Sequence, residues 1–439
     1  MPFKIKKINL LLCLLLIIDV VVNAQMKTTG SIIKDKSESA YYTDLLKYAN
    51  TLKVIDAHEH MLSAEDHSKR YLSFWNFLSD YVKWDLMGAG LPKKYEGYMP
   101  KNEQEAIELF NVIEPYLPYV ESGSYMLSVK MALKKYFGYE KITRGNFLDI
   151  TRKLNQQNTI ANYHKVFADA HIEKLLEQSV QGNPHEKEFV NLTTLNWQWE
   201  LQKSIVKMCR ENKAMTLDDV MAIYETELTK EKQNGSVGIK FFPHVFIEPY
   251  DTAIASKQFE AVKNGAEFNQ RSTLARVIYE KQIEIGTKLK MVIAIHTGIW
   301  ADITDKTPMI LFPVVAKYPN ATFDIYHAGI PEIREAAFLG KNYPNVYLNL
   351  CWAYSVSENM VLNSLDEWID IVPTNKIIGF GGDLITLPQH AVGMLEVAKH
   401  VLCKALARRI VADRMDMQGA KKILEDWLYN NPAKVYGIK

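Results

Sequence analysis

From about residue 232 to its end, the chain repeats one unit, a short apolar run followed by an amphipathic stretch. This repeat constrains the fold more than any other feature. The runs are Val237–Phe242 (VGIKFF), Lys290–Ile295 (KMVIAI), Ala321–Tyr326 (ATFDIY), Val346–Cys351 (VYLNLC) and Lys376–Phe380 (KIIGF). Each is apolar almost throughout, as expected of parallel strands covered on the outside by helices. The stretches between them, such as Met309–Lys317, Glu332–Lys341 and Asn359–Ile371, have helical spacing. Pro319, Pro344 and Pro373 follow these stretches, stopping each helix just before the next strand. Strand, helix and proline in this rhythm make a βα repeat of the length a barrel needs.

An earlier strand is expected at Lys53–Ala57 (KVIDA), after a helix around Ala40–Leu52. Ile172–Val180 and Phe189–Leu195 are candidates for the second and third strands. The region from Ser63 to Lys230 is rich in aromatic and charged residues, with helical patterns at Gln104–Val112, Tyr125–Tyr136 and Ile160–Ala168. These patterns read as insertions that build a cap over the pocket. From His390 to Lys439 the chain reads as helix with no further strand. The fold class expected is therefore α/β, a (β/α)8 TIM barrel with helical insertions and a C-terminal helical segment, formed as one domain over residues 25–439.

Residues 1–24 read as a signal peptide. Lys4, Lys6 and Lys7 form a basic start, Ile8 to Val22 is almost wholly apolar, and Val22-Asn23-Ala24 ends in a small residue before Gln25. The apolar run is short for a bilayer span of about 20 residues, so no stable membrane anchor is expected. The expected location is outside the cytoplasm, periplasmic or secreted. After cleavage three cysteines remain, Cys209, Cys351 and Cys403, too few and too scattered for a disulfide framework. They read as buried free thiols. A formal net charge of +1 over 439 residues gives no electrostatic case for nucleic acid or an anionic membrane. The expected partner is a small-molecule substrate, with a homo-oligomer left open.

The chemistry begins at His58-Glu59-His60, at the end of the first strand. Side chains alternate along a strand, so residues 58 and 60 share a face and Glu59 points away. Two imidazoles so placed can bind one cation, although an isolated HxH often has no such role. The other strands strengthen the case. The run at 290 ends in His296-Thr297-Gly298, that at 321 in His327-Ala328-Gly329, and that at 376 in Gly381-Gly382-Asp383; Lys240 lies in the run at 237. All fall at or near C-terminal strand ends, the face of a (β/α)8 barrel that carries its active site. Imidazole and carboxylate suit zinc and other divalent ions of intermediate hardness.

The ordered set Asp56-x-His58-x-His60, His296-Thr297-Gly298, His327-Ala328-Gly329 and Gly381-Gly382-Asp383 resembles the amidohydrolase superfamily, in particular its amidohydrolase 2 branch. The resemblance covers residues 50–62 and residue 237 to the C-terminus, and Tyr125–Ile142 is similar to uronate isomerase-like members. It implies a catalytic metal, usually one zinc, held by His58, His60, His296 and Asp383; two ions or another divalent metal remain open. It further implies that Asp383 accepts a proton from metal-activated water and that His327 serves as general acid/base or electrophile. In two-metal members a strand-four lysine is carboxylated and bridges the ions. Lys240 could do so, or its ammonium could hold an anionic group. Trp352, just past a strand end, and Arg334, just past another, are candidate substrate contacts.

The reaction expected is hydrolysis of an amide, ester or lactone bond in a small polar substrate. The alternatives are a uronate isomerase-like isomerase and a non-oxidative decarboxylase on the same barrel, because fold and ligand set do not fix the reaction. A barrel that binds metal without catalysis is disfavoured, since binding alone would not need a carboxylate proton acceptor.

Overall fold

Eight strands, each parallel to its neighbours, follow one another in chain order around a single sheet. They are β1 (Val54–Glu59), β2 (Ile172–Glu177), β3 (Phe189–Thr193), β4 (Gly238–Phe241), β5 (Val292–His296), β6 (Phe323–Tyr326), β7 (Val346–Asn349) and β8 (Ile377–Ile378). The computed structural model describes residues 38–178, 186–193, 205–209, 211, 216–299 and 303–439. The expected signal peptide lies outside them. Backbone hydrogen bonds join the last strand to the first: Ala57 N–H donates to the Phe380 carbonyl (3.1 Å), Asp383 N–H to that of His58 (2.8 Å), and His60 N–H to that of Leu384 (3.0 Å). The fold is the expected (β/α)8 barrel.

The apolar runs read from the sequence are the strands, somewhat shortened. The run at 376 is reduced to the two-residue β8, because residues past Ile378 leave the ladder with β7 and turn toward β1. The candidates at Ile172–Val180 and Phe189–Leu195 contain the strands Ile172–Glu177 and Phe189–Thr193, and residues 179–180 and 194–195 lie outside the described residues. Alternation sorts each strand's residues between two cores. Val292 and Ala294 belong to the small cluster inside the barrel, and Ile293 and Ile295 to the large one beneath the helices. His296 continues the inward series, and on β4 Lys240 does the same between outward Ile239 and Phe241.

The insertion after β1 has its own core, with Phe74, Trp75, Phe77, Phe110 and Phe147 all buried. The Phe110 and Phe147 rings stack 4.0 Å apart at 9°. Three helices tie this cap to the barrel: α1 (Glu38–Ala49), α2 (Ser124–Phe137) in the cap, and α3 (Pro388–Val411), which leaves the β8 end and packs against both. At the other end of the barrel the C-terminal helix Asn431–Tyr436 inserts Tyr436, whose hydroxyl donates to Asp324 (2.6 Å). Among the described residues no helix is long and apolar enough to cross a membrane.

The α2–α3 crossing is close because of Gly393. A Cβ there would stand 2.3 Å from the Ser128 carbonyl oxygen and 2.9 Å from the Ala132 Cβ. Neither backbone can give way without separating the cap from the barrel. We expect Gly393→Ala to lower unfolding stability by about 1–3 kcal/mol, an overpacking cost that outweighs the helix propensity gained. Urea titration of the two proteins checks this.

Candidate metal centre

The barrel closure brings the first strand's histidines against the last strand's aspartate. His58 Nε2 and His60 Nε2 each lie 3.2 Å from the same Asp383 oxygen, Oδ1. Two ligands at 2.0–2.1 Å from one tetrahedral ion lie about 3.3 Å apart, so these spacings fit a shared cation. His296 and His327 stand beside them, with ring centroids 4.3 Å apart. The Nε2 atoms of both are buried and make no hydrogen bond. His58, His327 and Asp383 each offer a donor atom within 4.8 Å of one another. His58, His60 and Asp383 thus meet, His327 reaches the same group, and His296 stands beside His327.

Backbone and side chain together aim these groups. Asp383 has a left-handed backbone, φ 57°, which an aspartate tolerates better than a branched residue. It is held on three sides. Asp56 Oδ1 accepts from Gly382 N–H (3.0 Å), Glu59 Oε2 from Leu384 N–H (2.7 Å), and the His58 carbonyl from Asp383 N–H. Gly382 is required because a Cβ would stand 2.0 Å from Glu59 Oε1. Glu59 therefore does not simply turn away from the site; it lies fully buried beside Asp56 and supports the Asp383 turn. Burial, with Asp56 beside it, pushes the Glu59 carboxyl up, and burial pushes Asp56 up to about 7. The two acids thus favour sharing a proton rather than carrying two charges.

The histidine rings are equally constrained. His327 Nδ1 lies 3.1 Å from the Cys351 carbonyl oxygen, which can only accept, so Nδ1 carries the proton and Nε2 presents a lone pair. Burial pushes His327 down to about 3 and holds His58 and His296 well below the usual histidine range, so all three are neutral. Asp383 shows the opposite balance. Burial alone would raise it, but His58 and its hydrogen bonds from His58 and His60 hold it well below the carboxylate range. His58 cannot supply a full positive charge there, because its own burial keeps it neutral. The hydrogen bonds from His58 and His60 favour the ionised form of Asp383.

Gln178 explains how His58 can serve a cation. Its amide meets His58 Nδ1, and its Oε1 is buried without a partner. Half a turn of the amide sets Oε1 to accept from Nδ1–H and leaves Nε2 free for the metal, the usual arrangement of a ligating histidine. The orphaned nitrogens of His296 and His327, the shared Asp383 oxygen and this reversible amide together fit a divalent ion. The sequence reading missed Gln178, although a polar pair, Glu177-Gln178, closing the apolar β2 run was the available signal.

Lys240 lies fully buried 3.4 Å from His58 Nε2, with Nζ 4.2 Å from the Tyr326 ring centroid. Burial lowers it to about 8. Trp352 packs edge-on against His327 at 5.2 Å and so borders the site. Arg334 requires a correction. It lies on the exposed surface of the helix Ile333–Asn342, 72 % exposed, and forms an ion pair with Glu367 (2.5 Å). Proximity to a strand end in sequence did not bring it to the pocket, because its position on the helix turns it outward.

Residues 222–438 match the family model described as amidohydrolase. Over 88 residues the chain is 33 % identical to the protein fluG of Emericella nidulans, covering 19 % of this chain and 10 % of that protein, so it spans about a tenth of that relative's length. The fold is similar to glucuronate isomerase from Caulobacter crescentus, with TM-score 0.74, 15 % identity, and coverage of 93 % of this chain and 96 % of that one. It is also similar to uronate isomerase from Thermotoga maritima, with TM-score 0.73, 15 % identity, and coverage of 90 % and 97 %.

If Gln178 orients His58 for a metal, Gln178→Leu should weaken zinc binding about 10–100-fold with the fold intact. Competition with a chromophoric chelator measures this. By the family match over residues 222–438 and the whole-barrel likeness together, the chain matches the amidohydrolase superfamily, with a fold similar to that of uronate isomerases.

Proposed function

We propose that this protein is a metal-dependent hydrolase of an amide, ester or lactone bond in a small polar substrate. The observation that carries the reading is the pairing, in one buried site, of an ionised carboxylate with a neutral imidazole whose lone pair faces inward. These are Asp383 and His327: the protonated His327 Nδ1 lies 4.0 Å from Asp383 Oδ2, and Nε2 is buried with no hydrogen bond. His58, His60 and Asp383, with His327 beside them, would hold a divalent ion, zinc being the first candidate, and that ion would supply Lewis-acid polarisation of a carbonyl and acidify water.

The chain's own groups do the rest. Asp383, held ionised, is the proton acceptor, and afterwards passes the proton to the leaving nitrogen or oxygen. His327 has no proton on Nε2 at rest. It therefore acts first by accepting a hydrogen bond from the substrate or by joining the metal's ligands, and it becomes a proton donor only after taking one up. Trp352 and His296 wall the reacting bond. Lys240, below His58, holds negative charge at the barrel floor, where Asp383 and Asp324 both act on it. Carboxylation of Lys240 is the alternative if a second ion binds.

A second reading is isomerisation of a sugar acid. It is supported by the likeness to uronate isomerases, which extends over nine-tenths of the chain, cap included. The two readings differ in mass balance. Hydrolysis adds one water and gives two products, or one ring-opened product from a lactone; isomerisation leaves the mass unchanged. Incubation of the zinc-loaded protein with panels of amides, esters, lactones and sugar acids, read by mass spectrometry, separates them. Hydrolysis predicts water incorporation from H₂18O. Asp383→Asn should reduce kcat by about 10²–10⁴-fold, the usual contribution of a positioned acid/base group. Full turnover by that variant would contradict the role given to Asp383.

A further inference from the structure

The cap contributes a group to the metal centre that no strand supplies. Tyr81, in the inserted region and almost fully buried, donates its hydroxyl hydrogen bond to the backbone carbonyl of Asp383. β1 bonds the N–H groups of residues 382–384, whereas this carbonyl is bonded from the cap. The Tyr81 ring is fixed in its turn, stacked on Tyr125 at 5.4 Å and 15° and tilted against Trp352 at 5.2 Å. A tyrosine so confined has little freedom to place its hydroxyl elsewhere.

The residue before it, Asp80, anchors the same segment. Asp80 Oδ2 accepts from Thr386 Oγ1 (2.9 Å), which also lies 2.6 Å from the Asn76 carbonyl, so the cap grips the β8 loop three residues beyond Asp383. Asp80 Oδ2 also lies 3.5 Å from His390 Nδ1, and His390 Nε2 lies 3.0 Å from Ser128 Oγ. Serine, histidine and aspartate in this order resemble a nucleophilic triad. Ser128, however, lies within α2 beneath Gly393, 1 % exposed, and its hydroxyl reaches the Tyr125 carbonyl of its own helix (3.2 Å). These groups lie in contact where α2, α3 and the Asp80–Tyr81 segment meet.

We propose that Tyr81 is a positioning residue of the metal centre: held by its packing on Tyr125 and Trp352 and by the neighbouring Asp80–Thr386 bond, it fixes the backbone turn that presents the Asp383 carboxylate. The cap is then part of the ligand scaffold as well as the wall of the pocket. Its removal from the carbonyl would let residues 383–386 relax from a conformation that a non-glycine residue adopts only when surrounding contacts enforce it. The inference rests on the reading of Asp383 as a ligand.

The test uses the full chain, cobalt(II) as the probe, and Tyr81→Phe, which keeps the ring and its stacking. The expected result is cobalt affinity reduced about tenfold or more, with a changed visible absorption band and an apo melting temperature within a few degrees of the parent. Asp80→Leu, which keeps the approximate volume and cannot accept from Thr386, should change the band in the same direction and serves if Tyr81→Phe fails to fold. Parent-like affinity and spectrum in a folded variant would overturn the proposal while leaving the metal centre standing. A parent protein that binds no cobalt would overturn the metal reading itself, and this inference with it.

Discussion

The seam where β8 meets β1 determines most of what this protein can do. Across it, three backbone hydrogen bonds connect residues more than three hundred positions apart in sequence, and the same bonds set His58 and His60 against Asp383. Closure of the barrel and assembly of the ligand set are thus a single event. Asp56 and Glu59 extend the seam by binding the N–H groups on either side of Asp383. A buried pair of acids is costly to ionise; here the backbone N–H groups offset part of the cost, and sharing one proton keeps the pair from carrying two charges. If the first and last strands separated, the cation site would cease to exist.

Burial explains the protonation pattern around that seam. His58, His296 and His327 are neutral because the barrel's end excludes water, and neutral imidazole is the form that binds metal. Asp383 remains ionised because histidine nitrogens face its oxygens. A carboxylate surrounded by uncharged ligands, with a low-pKa lysine beneath, suits a divalent ion better than it suits an unoccupied polar core. The orphaned His296 and His327 nitrogens would otherwise be buried lone pairs with no compensation.

Much of this was legible in the sequence because it was local. Strand runs, proline stops and polar residues at strand ends follow from backbone periodicity, and they pointed to the barrel and to the strand-end residues His58, His60, His327 and Asp383 that the fold brings together. What was not legible depends on contacts between distant segments. Nothing near Tyr81 announces that its hydroxyl meets residue 383, and Glu59 looked like the outward half of an HxH pair. Arg334 shows the limit from the other side: its distance from a strand end was favourable, but its helical phase, which pairs it with Glu367, decided its environment. The short β8 has the same origin, since its continuation turns to bond β1, a partner far away in sequence.

The central claim is that these residues hold a catalytic cation, and the most direct test is metal content per chain by elemental mass spectrometry on protein purified without chelators. The account predicts about one zinc or comparable divalent ion per chain, lost when His58 or Asp383 is replaced and retained when the surface Arg334 is replaced. Two ions would make Lys240 a carboxylated bridge. A parent chain that holds no metal, even after reconstitution, would contradict the account.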